Sequence, residues 1–176
     1  MFTIQDIPSS EEIDQLAARY PDANPRAIKT MLRLLRVGSD IMNLGEAHFA
    51  DLGISTGRFM ILMLLNRKLE QGASPSGLAE SGGVSRATVT GLLDNLERDE
   101  LVIREHGSND RRSIKIKITD KGMAFLDSIL PTHFRRIAWL TSSLSDQEKT
   151  TLITLLGKIA QQLEQIKNIP KTEKNN

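Results

Sequence analysis

The chain contains no cysteine, which excludes disulfides, thiolate metal sites and sensing by thiol oxidation. No run approaches the roughly eighteen apolar residues that mark a membrane-crossing helix. The opening residues, MFTIQDIPSSEEID, lack the basic-then-apolar order of a secretory signal, so a cytoplasmic protein is expected. Charge of one sign is not in excess: 23 Lys and Arg stand against 22 Asp and Glu, a net +1. Affinity for nucleic acid must therefore come from local placement. The three histidines, at 48, 106 and 133, are far apart. No His-Glu-x-x-His pair, phosphate-cradling glycine loop or local Ser, His, Asp set accompanies them. Neither enzymatic chemistry nor a cofactor is expected, and zinc sensing would find few ligands. Internal repeats and low-complexity segments are also lacking. At 176 residues the chain is long enough for one domain with a real core and short for two, so a single structural domain is expected.

What is present is mostly helical. SSEEIDQLAARY reads as a short helix opened by Ser and Glu. Asn24-Pro25 starts a second helix, Asn as N-cap and Pro at the first helical position, running to about Phe49. Its Ile28, Leu32, Leu35, Ile41, Met42, His48 and Phe49 keep mostly to one broad stripe. DLGISTGRF interrupts. FMILMLLNRKLE then reads as a helix apolar nearly all round, hence buried on most sides.

Two short helices follow. Ser74-Pro75 opens the first, Gly82-Gly83 supplies the tight connection, and Ser85 caps the second. In that second helix Val89, Leu92, Leu93 and Leu96 obey the i, i+3, i+4, i+7 rule and face inward. Two short helices joined through a glycine turn are a helix-turn-helix signal. Leu101-Val102-Ile103, and Ile114, Ile116 and Ile118 alternating with Lys115 and Lys117, read as strands, the second covered on one face. HGSND between them is expected to form a hairpin tip of several residues. From Arg104 to Lys117 the basic residues outnumber Asp and Glu by three. A helix-turn-helix followed by a hairpin makes a winged helix. Met123, Leu126, Leu130, Phe134 and Ile137 then mark a helix in which Pro131 gives a kink and not an end. A Ser145–Glu148 capping box opens a last helix carrying Leu152, Leu155, Leu156, Ile159, Leu163 and Ile166, to about Asn168.

These residues resemble the MarR family of bacterial transcription regulators. The match runs from about Asn24 to Ile166 and is sharpest across GVSRATVTGLLDNLERDELVIREHGSNDRRSIKIKITDKG. SRATVT alone is a common helix-turn-helix signature. More specific are Asp110 with Arg112, matching the family's Asp-x-Arg wing, and Thr119 with Gly122, matching the Thr-x-x-Gly that opens its next helix. The resemblance implies a mainly α fold with a small β-hairpin wing and a homodimer with interlocking N- and C-terminal helices. It also implies binding to double-stranded DNA that a small ligand weakens. On this plan 1–23 is an N-terminal extension, 24–54 and 120–168 supply the dimerisation helices, 55–119 is the DNA-binding winged helix and 169–176 is a solvated tail. The chain departs from the pattern at Glu100, where the family usually has glycine, so a left-handed helix exit there is expected to be less secure.

The implied mechanism can be placed on residues. Ala87, Thr90 and Gly91 give the second short helix a small outward face, able to approach base edges in a major groove; Ser85 and Thr88 join them as candidate DNA contacts, and Arg86, toward the flank, is within reach of a phosphate or a guanine. Arg112, braced by Asp110, is the candidate for the minor groove, and Arg111, Lys115 and Lys117 are candidate phosphate contacts. The family's effector pocket points to Met42, His48, Arg58, Phe59 and Met63, with a small aromatic or amphipathic effector as the class. A winged-helix module that binds protein and not DNA is the competing reading.

Overall fold

In the computed structural model, which describes residues 6–69, 71–106 and 114–168, the chain forms seven helices and one hairpin among the described residues. In order these are α1 (Ser10–Ala18), α2 (Pro25–Asp51), α3 (Thr56–Asn66), α4 (Pro75–Gly82), α5 (Arg86–Arg98), β1 (Val102–His106), β2 (Ile114–Ile118), α6 (Asp120–Leu140) and α7 (Asp146–Asn168). No single helix among them is long and apolar enough to cross a membrane. Contacts group the chain into two compact units, Met1–Leu126 and Asp127–Asn176.

Local signals account for most helix starts. Ser9 and Glu12 form a reciprocal capping box on α1, and the Asn24 side chain accepts from Ala27 N–H, with Pro25 at the first position of α2. Ser74 caps α4 in the same cap-then-proline manner. One start differs from expectation. Thr56, Gly57 and Arg58 belong not to an interruption but to the first turn of α3, because Ser55 accepts from Arg58 N–H at 3.3 Å. The helix also ends sooner, at Asn66, and Arg67 to Leu69 lie beyond it.

The first unit is built around α3, whose Phe59, Ile61, Leu62 and Leu65 are buried. Leu78 from α4, Val89, Leu93 and Leu96 from α5, Val102 and Ile116 from the hairpin and Leu126 from α6 complete its core. Each such side chain removed from water contributes on the order of 1.5–3 kcal/mol. The strands pair antiparallel with Val102 opposite Ile118 and His106 opposite Ile114, so His106 belongs to β1 and not to the tip. A third edge went unforeseen: Ala73 exchanges two backbone hydrogen bonds with Ile116, 3.0 and 2.8 Å. The N-terminal α1 docks on α2, burying Ile13 and pairing Asp14 with Lys29 at 2.9 Å.

The second unit comprises α6 from Asp127 and α7. The helix continues through Pro131, and α7 opens with the expected Ser145–Glu148 box, each backbone N–H meeting the other's side chain. Phe134, Ile137, Trp139 and Leu140 of α6, and Leu152, Leu155, Leu156, Leu163 and Ile166 of α7, are all exposed.

Candidate nucleic-acid interface

The turn between α4 and α5 sets the site. Gly83 ends α4 in the left-handed region (φ 62°, ψ 29°), a conformation glycine adopts without strain. Two residues later Ser85 caps α5, its hydroxyl accepting from Thr88 N–H at 3.0 Å and lying 2.8 Å from the Thr88 hydroxyl. Val89, Leu93 and Leu96 turn inward as their spacing requires, with Leu92 half-buried. This leaves Ser85, Arg86, Ala87, Thr88, Thr90 and Gly91 all exposed, the six positions singled out from sequence. The Thr90 hydroxyl donates to the Arg86 carbonyl at 3.0 Å, which satisfies its proton within the helix. A Cβ at Gly91 would meet nothing within 4 Å. The outward face of the first turns is therefore low and open.

The C-terminal half of α5 and the two residues that follow it are held by cations from three other elements. Arg104 of β1 bonds Asp94 at 2.5 Å and Glu97 at 3.0 Å. Arg58 of α3 bonds Asp99, and Lys121 of α6 bonds Glu100 at 2.6 Å. Sequence reading missed this set because its partners are separated by up to 41 positions. Arg104, counted there toward a basic hairpin, is neutralised by two carboxylates of α5.

Glu100 keeps the left-handed exit. Its φ is 62°, the one positive value at a non-glycine position among the described residues. Leu101 N–H bonds the Leu96 carbonyl and Glu100 N–H the Glu97 carbonyl, both at 2.9 Å, the paired bonds of a Schellman ending. The Glu100 carbonyl also accepts from the Thr119 hydroxyl at 2.7 Å, while that hydroxyl accepts from Gly122 N–H at 3.0 Å. The Thr-x-x-Gly pattern thus ties the start of α6 to the end of α5, and Lys121 pulls the Glu100 carboxyl below its ordinary pKa.

On the wing, Lys115 is exposed, and Lys117 is paired with Glu105 at 2.8 Å. Asp110, Arg111 and Arg112 lie outside the described residues. The candidate pocket residues occupy different settings. Met42 is exposed, Met63 half-buried, His48 and Phe59 buried. The Phe59 ring stacks on Phe49 at 4.3 Å, and Arg58 is engaged with Asp99.

Comparison with known proteins agrees with this geometry. The MarR family model matches residues 54–114. The HTH-type transcriptional repressor YetL of Bacillus subtilis (strain 168) is 34% identical over 165 residues, spanning 94% of this chain and 99% of that protein. Among solved structures, the S. aureus MepR–DNA complex superposes with a TM-score of 0.66 at 20% identity, covering 76% of this chain and 95% of that one. A MarR/EmrR family transcriptional regulator from Acinetobacter sp. ADP1 gives 0.67 at 20% identity, covering 81% and 99%. With its winged helix-turn-helix and a relative matched almost end to end, the chain belongs to the MarR family.

Proposed function

We propose that the protein is a DNA-binding transcription regulator, in the first place a repressor, that grips a pseudo-palindromic operator as a homodimer in the cytoplasm. Family membership makes it a DNA-binding protein and not an enzyme. The observation that carries the finer reading is the outward face of α5. Small and hydroxyl side chains, with a glycine facing open space, let a helix backbone approach the floor of a major groove, where threonine hydroxyls meet base edges. Arg112 would then enter the adjoining minor groove, where negative potential is concentrated, with Arg111, Lys115 and Lys117 on phosphates. Lys117 is the weaker of these, because Glu105 already engages it.

Selection of bound fragments from random DNA tests the reading. The expected product is a pseudo-palindrome with half-sites about 34 Å apart, bound less tightly as salt rises because phosphate contacts release counterions. Arg112→Ala should weaken operator binding by roughly 10-fold or more. Equal affinity for that variant, or no preference among fragments, would favour the protein-binding module instead.

An aromatic or amphipathic effector belongs to the same proposal, resting on family membership. Of the five candidate contacts, Met42 and Met63 retain surface open to a ligand, whereas Phe59 is closed by Phe49. Titrating the DNA complex with aromatic carboxylates, read as release of DNA, tests it.

A further inference from the structure

The three cations on the C-terminal half of α5 and the residues just beyond it differ in burial. The Arg58 side chain is 17% exposed, against 31% for Arg104 and 58% for Lys121. Its backbone is fixed too, since its N–H donates to the Ser55 cap. One residue before it, Gly57 lies against α5: a Cβ there would stand 3.1 Å from both methyl carbons of Leu92. The first turn of α3 therefore touches α5 at Leu92 and its C-cap at Asp99, about two helical turns apart.

These contacts do different things. Gly57 against Leu92 sets the separation of the helices. A charge-assisted hydrogen bond at Asp99, the C-cap of α5, is directional and, beside the Arg104 bonds to Asp94 and Glu97, restrains rotation of α5 about its own axis. A roll of about 20° would carry a side-chain tip at a radius of about 5 Å through roughly 2 Å, enough to break a hydrogen bond to a base edge. With Asp99 41% exposed opposite Arg58, the pair is part-buried and a weak source of stability, and selection of one geometry is the better-attested use of such pairs.

We propose that Arg58 is a positioning residue for DNA recognition: through Asp99 it sets the roll of α5, and so which side chains face the bases, without itself touching DNA. The inference rests on α5 being the recognition helix. Its test compares the wild type with Arg58→Met, Arg58→Lys, Asp99→Asn and the Met/Asn double variant. Affinity is measured on the operator recovered by selection and on a scrambled duplex, across a salt series, with unfolding midpoints recorded in parallel.

Arg58→Met and Asp99→Asn should each cut the operator-to-scrambled affinity ratio by about 10-fold, leaving scrambled-duplex affinity and the salt slope unchanged. Arg58→Lys should recover most of the ratio, and the double variant should lose no more than the worse single one. A salt slope lowered by about one would make Arg58 a phosphate contact and overturn the proposal. A lower midpoint with the ratio intact would reduce it to a folding residue. Should Arg58→Met fail to fold, the nearly isosteric Asp99→Asn decides alone. A wild type that binds no duplex removes the parent reading and this inference with it, whereas variants that discriminate as well as the wild type overturn this inference only.

Discussion

A glycine inside an exposed helix costs about 1 kcal/mol against alanine, and the Cβ that alanine would add at Gly91 meets no heavy atom within 4 Å. Nothing within the described fold asks for glycine there. Gly91→Ala should therefore raise unfolding stability by about 0.5–1 kcal/mol while weakening operator binding, because the added methyl occupies the space a base edge needs. Denaturant unfolding and a binding titration on the same preparation check both halves; a variant that binds as well as the wild type would show that Gly91 does not face DNA. Gly122 is the opposite case. Its Cβ would stand 2.2 Å from the Leu101 carbonyl oxygen and 2.7 Å from a carbon of Ile118, and the first of these is backbone that cannot rotate away. Gly122→Ala should cost on the order of 3 kcal/mol, read as a lowered urea midpoint. The same substitution at two glycines separates one kept by packing from one kept open toward a partner.

At the level of elements, capping explains why helix starts were legible in sequence. A cap is a bargain struck within three or four residues, so Ser9 with Glu12, Asn24-Pro25, Ser74-Pro75, Ser85 and Ser145 with Glu148 all stand where local chemistry places them. These boxes carry a pH signature. Hydrogen bonds from the Ser145 hydroxyl and backbone hold the Glu148 carboxyl below its ordinary value of 4.5, and those from the Ser9 backbone and hydroxyl do the same for Glu12. With the folded value below the unfolded one, each box adds stability above the unfolded pKa and loses it as pH falls through the folded pKa. An NMR titration should find both carboxyls titrating below 4.5 and the first turns of α1 and α7 fraying in acid; ordinary titration of both would sink the assignment. Illegible elements were those whose partners are distant or ambiguous. Ser55 was hidden between Gly53 and Gly57, which together read as a loop. Ala73 pairs with Ile116 across the whole helix-turn-helix. Arg58 and Arg104 looked like a pocket cation and a hairpin charge because the carboxylates that engage them lie on another element. Glu100 read as a break in the exit pattern, yet the Schellman bonds and the Thr119 hydroxyl hold it in the left-handed region.

Large apolar side chains stand exposed on three of the described helices. Leu35, Ile41 and Leu44 on α2, Phe134, Ile137 and Trp139 on α6, and Leu152, Ile153 and Leu155 on α7 are all exposed, Trp139 to 76% and Ile153 to 71%. The proposed homodimer is the partner that would cover these exposed side chains. Folding coupled to dimerisation ties stability to concentration: each tenfold dilution should remove about 1.4 kcal/mol per mole of dimer, lowering the thermal midpoint, whereas a monomer's midpoint stays constant. Ending the chain near Ser143 deletes α7 and its exposed leucines, and should convert the species seen by sedimentation from dimer to monomer. Operator affinity should fall in step, since a single half-site loses the second helix and wing. A full-length protein that sediments as a monomer while still binding its operator tightly would refute the two-fold geometry, because one recognition helix and one wing would then suffice for what two are argued to do.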